Sequence, residues 1–395
     1  MTGVHFFYMG ATGSPEKTKG PRLLFIDNIR ILLICLVITT HSAVTYGGSG
    51  DWYYTEAVSD TLAPIILTLI NSLNQSFFMG CFLFISAFFI TGSLERKGTR
   101  HYVHDRLVRL GIPLLVWILF INPLLVYMIR VTQYNFNGTL LESYADIFIP
   151  FRGFGLGPMW FVLFLLVATL AWVVWYTYHG PDSHTTKRLR DVPSFTSIVV
   201  LGIILGLITF AVRIFVPIGW TCGLFSFQFP FFPQYIAFFI LGICAAQNNW
   251  LAGTDSHVGK KCALAALALI LMQPLLLLIT STSPDGLSVV MGGLHWQAAV
   301  YAIWEQVAGI LIMVGLLWFF SLHFNHQGPV TQAMAADTYT VYIIHPVILV
   351  ILAIALKGLM IPTLGKFVIV LALTICITFS IAHAIRALPG VKRIL

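Results

Sequence analysis

Long apolar runs alternate with short polar connections along almost the whole chain. Each run approaches the ~20 residues that a helix needs to cross the hydrocarbon core of a bilayer. The pattern therefore predicts an all-α, polytopic integral membrane bundle of about ten transmembrane helices. We place the spans near residues 24–45, 62–92, 107–129, 157–178, 194–216, 230–247, 261–280, 297–320, 338–357 and 364–387.

The predicted bundle leaves little of the chain for anything else. Residues 22–388 form the transmembrane domain, preceded by a short polar segment over residues 1–21 and followed by a tail over residues 389–395. The first span has no small-residue cleavage site after it, so we predict an uncleaved span and not a signal peptide. The second span is longer than a bilayer requires, and we expect it to tilt or to extend past the hydrocarbon core.

Composition agrees with this class of protein. Hydrophobic residues make up 58% of the 395 residues and charged residues only 9%, with a mean hydropathy of +0.88. Soluble domains carry about 25% charged residues, so a surface this apolar must face lipid. The six cysteines are scattered, with no disulfide pattern and no metal-ligand spacing. We expect no permanently bound cofactor or metal.

Basic residues are concentrated in alternate connections, which is the distribution that sets membrane orientation. The formal net charge of +7 is therefore interpreted as a topology signal and not as a nucleic-acid site. It predicts a multi-pass protein of the cell membrane with both termini in the cytoplasm. The residues on the predicted cytoplasmic side are Lys17, Lys19, Arg22, Arg96, Lys97, Arg100, Arg106, Arg109, Lys187, Arg188, Arg190, Lys260, Lys261, Lys392 and Arg393.

Two ionisable residues in the first span share one helix face. Arg30 and His41 are eleven residues apart, and eleven residues of helix complete about three turns over about 16 Å. Arg30 would lie near the cytoplasmic side and His41 deep in the membrane or toward its outer half. Ionisable residues inside a span indicate function. The alternative is a snorkelling arginine and a histidine that is hydrogen-bonded between helices.

Arg106 and Arg109 lie at the start of the third span and share a helix face. Guanidinium groups bind phosphate in a bidentate manner, so the pair is a candidate phosphate site. The alternative is plain anchoring of the helix by positive charge on the cytoplasmic side.

The ninth span carries a polar ridge. Tyr339, Tyr342 and His345 recur every three residues on an otherwise apolar helix, and Pro346 follows directly. The proline leaves a carbonyl without its donor one turn back, near Tyr342, and permits a kink. A belt of interfacial tyrosines would explain Tyr339 but not His345.

Glu305 is the one acidic residue well inside a predicted span, and Arg213 is the one basic residue in the interior of the fifth. Two interpretations stay open at this point. The two residues form a structural ion pair, or Glu305 handles protons at the site.

Six stretches, in order along the chain, resemble the membrane-bound acyltransferase 3 family, which O-acylates glycans and related acceptors. The resemblance covers about residues 22–388, and Ala87 stands where the family commonly has glycine. We expect the chain to lack the extracytoplasmic hydrolase-like domain of some members and to be closer to the stand-alone type, which includes glucan-modifying succinyltransferases. The stretches are 25–30 (FIDNIR) with His41, 82–89 (FLFISAFF), 106–110 (RLVRL) with Pro113, 159–162 (MWFV), 234–242 (QYIAFFILG) and 339–346 (YTVYIIHP).

The resemblance implies an acyl-CoA donor from the cytoplasm and a glycan or glycolipid hydroxyl as acceptor at the outer face. Arg106 and Arg109 would hold CoA phosphates, and His41 would act as general base, with Arg30 or the ridge of the ninth span stabilising charge. Whether an acyl-enzyme forms first stays open. The candidate catalytic residues are His41, Arg30, Tyr342, His345 and Glu305, and the candidate donor-binding residues are Arg106, Arg109 and Tyr339.

The main alternative function is a transporter or flippase for a polar solute or a lipid-linked sugar. It would use the same buried Arg, His and Glu side chains as a permeation or proton pathway. The sequence shows no paired inverted half-repeats, which favours the acyltransferase.

Overall fold

The computed structural model describes residues 23–58, 60–149, 155–180, 191–223, 225, 227–251, 256–281 and 286–395. Within these residues the secondary structure is helical, apart from one isolated bridge between Cys222 and Phe227. Ten helical segments are long and apolar enough to cross a membrane. The predicted all-α transmembrane class is therefore confirmed. The predicted segment 1–21 lies outside the described residues.

π-Helical turns at Leu107–Gly111 and Trp117–Ile121 make α4, α5 and α6 one continuous span. The predicted bounds agree within five residues, except at the starts of the third and ninth spans. The helices are α1 (Leu24–Thr45), α2 (Leu62–Gln75), α3 (Phe78–Lys97), α4 (Thr99–Arg106), α5 (Ile112–Val116), α6 (Asn122–Tyr134), α7 (Leu140–Phe148), α8 (Trp160–His179), α9 (Phe195–Phe215), α10 (Phe232–Gln247), α11 (Ser256–Ser281), α12 (Ser288–Met291), α13 (Trp296–His323), α14 (Pro329–Ala355) and α15 (Thr363–Ala387).

The second span is not the single helix that the sequence predicted, because the chain breaks between α2 and α3. Gln234 Nε2 donates to the carbonyl oxygen of Ser76 at 2.6 Å, and Asn74 Nδ2 donates to Thr40 Oγ1 at 3.1 Å. A side chain at Gly309 on α13 would overlap that same carbonyl oxygen. The interruption is tolerated inside the bundle because neighbouring helices supply the hydrogen bonds that the lipid cannot.

The third and ninth spans begin earlier than predicted, since hydropathy underestimates polar helix ends. The third starts at Thr99 and the ninth at Pro329, which occupies a first-turn position where a missing N–H costs little. Asp337 therefore lies inside α14, where Arg386 donates to it at 2.7 Å and His383 contacts it at 3.0 Å.

Helix α1 lies in the middle of the bundle and packs against α2, α3, α13, α14 and α15. Ile29, Leu33 and Ile38 on this helix are completely buried. Because α1 is held on several sides, the positions of its polar residues near each end are fixed by packing. These residues are Arg30 and His41.

Candidate functional site

A cavity of about 490 Å³ lies inside the bundle beside the carboxy-terminal half of α1. Its wall combines aromatic rings with uncharged amides, and among the described residues it contains no Lys or Arg. Asp51 is the one acidic residue in this wall. An environment of this kind suits a neutral, hydroxyl-rich molecule better than an anion. The amides and the main aromatic rings are Asn71, Gln75, Gln228, Trp160, Tyr235 and Tyr301.

His41 reaches the cavity from α1 and stacks on Trp52. The two ring centroids are 3.8 Å apart and the ring planes differ by 18°. The ring of His345, on α14, lies 5.4 Å from that of His41 at the same interplanar angle. Three nearly parallel rings thus meet beside the cavity.

The orientation of the His345 ring follows from the proline after it. Nδ1 of His345 lies 2.7 Å from the carbonyl oxygen of Tyr342, which is the carbonyl that Pro346 leaves without a helical donor. Nδ1 therefore carries the proton and donates it, so that Nε2 is left as an acceptor. Nε2 is buried and has no hydrogen-bond partner within the part of the chain that the structure describes.

Tyr342 belongs to the same group of residues, since its ring lines the cavity. Its hydroxyl donates to the carbonyl oxygen of Pro158, in the turn before α8. The ring centroid of Tyr342 is 5.9 Å from that of His345. The structure thus brings together His41, Tyr342 and His345, which are three of the five predicted catalytic residues.

Toward the other end of α1, Arg30 lies close enough to Arg106 and Arg109 for their charges to act on it, and we refer to these three residues as the arginine cluster. Arg30 lies in the electrostatic field of both other members. Among the described residues its ion-pair partner is Asp27, at 3.7 Å, and the side chain of Arg30 is 41% exposed. The cluster is therefore a concentrated and accessible positive charge. Arg30, predicted as a catalytic residue, belongs to this cluster and lies about 16 Å by helical rise from His41.

Two tyrosines support the arginine cluster. Tyr102 accepts a 2.9 Å hydrogen bond from Arg106 Nε, and its ring lies 5.0 Å below that guanidinium. Tyr339 donates to the backbone carbonyl oxygen of Arg109 at 2.9 Å. Tyr339, which the sequence predicted to bind the acyl donor, thus contacts the arginine cluster and is not in the cavity wall.

Glu305 forms a buried ion pair with Arg213, at 2.6 Å between Oε2 and Nη2. Gln306 Nε2 also donates to Glu305 at 3.0 Å, and Arg213 Nε donates to the carbonyl oxygen of Pro230 at 3.2 Å. The sequence left open a structural ion pair or a Glu305 that handles protons, and this geometry agrees with the structural ion pair. Glu305 is not in the wall of the cavity that His41 and Tyr342 line.

Sequence reasoning missed most of the cavity wall. Asn71 and Gln75 stand out as amides inside an apolar run, and that polar content could have identified them. Tyr301 in the wall, and Trp52 beside His41, carry no comparable signal, because an aromatic residue near a span end is ordinary in a membrane protein.

Comparison with known proteins identifies the family to which the chain belongs. A family model described as an acyltransferase domain, the acyltransferase 3 model, matches residues 23–383. Curated relatives named glucans biosynthesis protein C occur in Salmonella typhi and Salmonella typhimurium, each 28% identical over 256 residues, and in Salmonella schwarzengrund, 27% identical. The match covers 64% of this chain and 65% of the relatives' length. No solved structure matches the chain.

Proposed function

The chain belongs to the acyltransferase 3 family, and from this premise we propose that it moves an acyl group from cytoplasmic acyl-CoA to a hydroxyl of an extracytoplasmic glycan or lipid-linked sugar. One observation carries the proposal. Helix α1 carries Arg30 of the arginine cluster toward one end and His41, in the wall of the cavity, toward the other.

The arginine cluster is the proposed binding site for the phosphates of the donor. Three guanidinium groups close together repel one another and need a polyanion to offset their charge. Bidentate hydrogen bonds make arginine well suited to phosphate. We assign Arg30 to donor binding together with Arg106 and Arg109, because it interacts with both of them. Tyr339 supports the site through the backbone of Arg109.

The cavity is the proposed binding site for the acceptor. Its amide and aromatic wall matches the hydroxyls and the apolar faces of sugar rings, and the absence of Lys and Arg from the described wall disfavours anionic acceptors. The relatives' name, glucans biosynthesis protein C, supports a glucan as the acceptor. Hydrocarbon lipid would surround the bundle outside this polar interior.

The proposed reaction needs a base for the acceptor hydroxyl, and His41 is the imidazole in the cavity wall. Neutral His41 would take the hydroxyl proton as the acceptor oxygen attacks the thioester carbonyl carbon. Tyr342 and His345 lie beside it, and Nε2 of His345, which has no partner among the described residues, would accept a relayed proton. The products are an acyl ester and free CoA.

Orientation completes the proposal. With both termini in the cytoplasm of a plasma-membrane protein, the start of α1 and the arginine cluster face the cytoplasmic pool of acyl-CoA. His41 and the cavity then lie toward the outer half of the bilayer. Donor and acceptor would approach from opposite sides and meet at His41.

The experiment uses purified protein in proteoliposomes with labelled acyl-CoA on one side and glucan on the other. Acyl-CoA-dependent appearance of label in glucan supports the acyltransferase. Movement of the glucan or of a lipid-linked sugar across the bilayer without acyl-CoA, and with no label transferred, supports the transporter or flippase instead.

A further inference from the structure

Trp52 makes the closest ring contact with His41. It lies in the connection between α1 and α2, and its indole is nearly parallel to the imidazole at a centroid distance of 3.8 Å. Trp52 is also 6.2 Å from His345, with a 13° interplanar angle. The face of the indole, where the negative potential of the ring is concentrated, is therefore turned toward His41.

His41 lacks the partner that usually supports a histidine base. Among the described residues, no carboxylate is hydrogen-bonded to His41 or to His345, whose Nδ1 is committed to Tyr342. In a Ser-His-Asp triad a buried carboxylate stabilises the imidazolium that forms during the reaction. In this site a group other than a hydrogen-bonded carboxylate must stabilise the imidazolium.

The remaining titratable groups around His41 do not supply that charge. The wall of the cavity brings Tyr235 from α10, Tyr301 from α13 and Tyr342 from α14, together with Asp51, whose side chain is exposed. His345 adds a second imidazole, which repels a charged His41 when it is itself protonated.

We propose that Trp52 is a positioning residue that stabilises the imidazolium form of His41 through its ring face, in place of a carboxylate. The inference rests on the proposed function, in which His41 is the base. A cation over the face of Trp within about 6 Å is attracted by the ring quadrupole, and Trp is the strongest of the aromatic residues in this role.

The proton balance confines this effect to the chemical step. The acceptor hydroxyl gives its proton to His41 while its oxygen bonds to the thioester carbonyl carbon. The carbon–sulfur bond then breaks, and the CoA thiolate takes the proton back from His41. Imidazolium exists only between these two transfers, so Trp52 would raise kcat and leave substrate affinity unchanged.

The connection that carries Trp52 is anchored at two residues that follow it. The hydroxyl of Tyr53 donates to Asn122 Oδ1 at 2.7 Å. Lys366 on α15 pairs with Glu56 at 2.5 Å, and both side chains are largely buried. The indole is therefore held against His41 before any substrate binds, as a preorganised electrostatic group must be.

The test replaces Trp52 with tryptophans carrying one to four ring fluorines, which weaken the negative face stepwise with little change in shape. The expected result is a stepwise fall in kcat of about 2- to 30-fold in total, with unchanged KM and melting temperature. Trp52→Phe, which keeps a weaker ring face, should fall within the series. The same analogues at Trp117, fully buried with its indole N–H donated to Gly155, are the control and should leave kcat unchanged.

The outcomes separate this proposal from the one on which it rests. Constant kcat across the series, with His41→Gln inactive, overturns the role of Trp52 and leaves the base in place. Near-wild-type transfer by His41→Gln, or no transfer by the wild type, overturns the proposed function itself. A stepwise fall at position 52 that is absent at position 117 supports both.

Discussion

Nδ1 of His345 and the backbone carbonyl oxygen of Tyr342 lie 2.7 Å apart, because Pro346 removes the amide that would otherwise occupy that carbonyl. A sequence feature that usually weakens a helix thus fixes the tautomer and direction of a histidine next to His41. Nε2 of His345 is left as a buried acceptor with no partner in the described structure.

Pro346→Ala is expected to restore the helical donor to Tyr342 and to displace the bond from His345. The loss of the bond between His345 and Tyr342, worth about 1 kcal/mol, should lower kcat roughly fivefold. The melting temperature should be equal or higher. The matched control is Pro274→Ala, a proline inside α11 that is not among the residues of the cavity wall. Unchanged kcat in Pro346→Ala would mean that this histidine does not depend on the proline for its function.

The spans were predictable from hydropathy wherever an apolar run was uninterrupted, and α1 was predicted residue for residue. The break between α2 and α3 was not, because averaging over a window hides a short polar segment. Asn71, Asn74 and Gln75 lie just before that break, and their side chains bond outside their own helix. At the break itself Ser76 Oγ donates to the backbone carbonyl oxygen of Leu73, and local side-chain-to-backbone bonds of this kind compete with helix formation.

The candidate site was predictable only where helical periodicity applied. The eleven-residue spacing between Arg30 and His41 correctly predicted that the two residues lie toward opposite ends of one helix. The contact between Trp52 and His41 was not predictable, since it depends on a connection tied to a helix more than 300 residues later by Glu56 and Lys366. Pairings at that separation leave no periodic pattern in the sequence.

Membrane orientation is tested by cysteine labelling from outside in a Cys-free background. Ser49→Cys and Leu141→Cys are expected to react, because Ser49 is exposed and Leu141 is 79% exposed on the predicted outer side. Arg100→Cys and His104→Cys, also exposed, are expected to react only after the membrane is permeabilised. The reverse pattern would overturn the orientation and place the arginine cluster outside.

Acyl-CoA is expected to raise the melting temperature of the purified protein, since a ligand of the native state stabilises it by mass action. Arg106→Ala combined with Arg109→Ala should weaken CoA affinity by about 10- to 100-fold for each charge-assisted hydrogen bond that the variant removes. Arg96→Ala combined with Arg100→Ala removes the same charge outside the arginine cluster and serves as the control. Equal effects in both double variants would return Arg106 and Arg109 to an anchoring role.

Glu305→Gln and Arg213→Met, each alone, are expected to destabilise the protein by about 3–5 kcal/mol, because each leaves an uncompensated buried charge. The double variant should recover much of that stability, because the effects of substituting the two residues of one ion pair do not add. Thermal melting of the three variants is the measurement. A Glu305→Gln protein that melts normally but transfers no acyl group would instead indicate that Glu305 handles protons in the reaction.

Acyl transfer from labelled acyl-CoA to glucan by His41→Gln and His41→Ala tests most directly whether His41 takes the proton from the acceptor. Glutamine keeps a hydrogen bond but takes no proton at neutral pH. Both variants should melt normally and bind CoA, since the arginine cluster is about 16 Å away by helical rise. Turnover is expected to fall by roughly 10²–10⁴-fold in both. Near-wild-type transfer by His41→Gln would contradict the account, and the base would then have to be another residue, with His345 next in position.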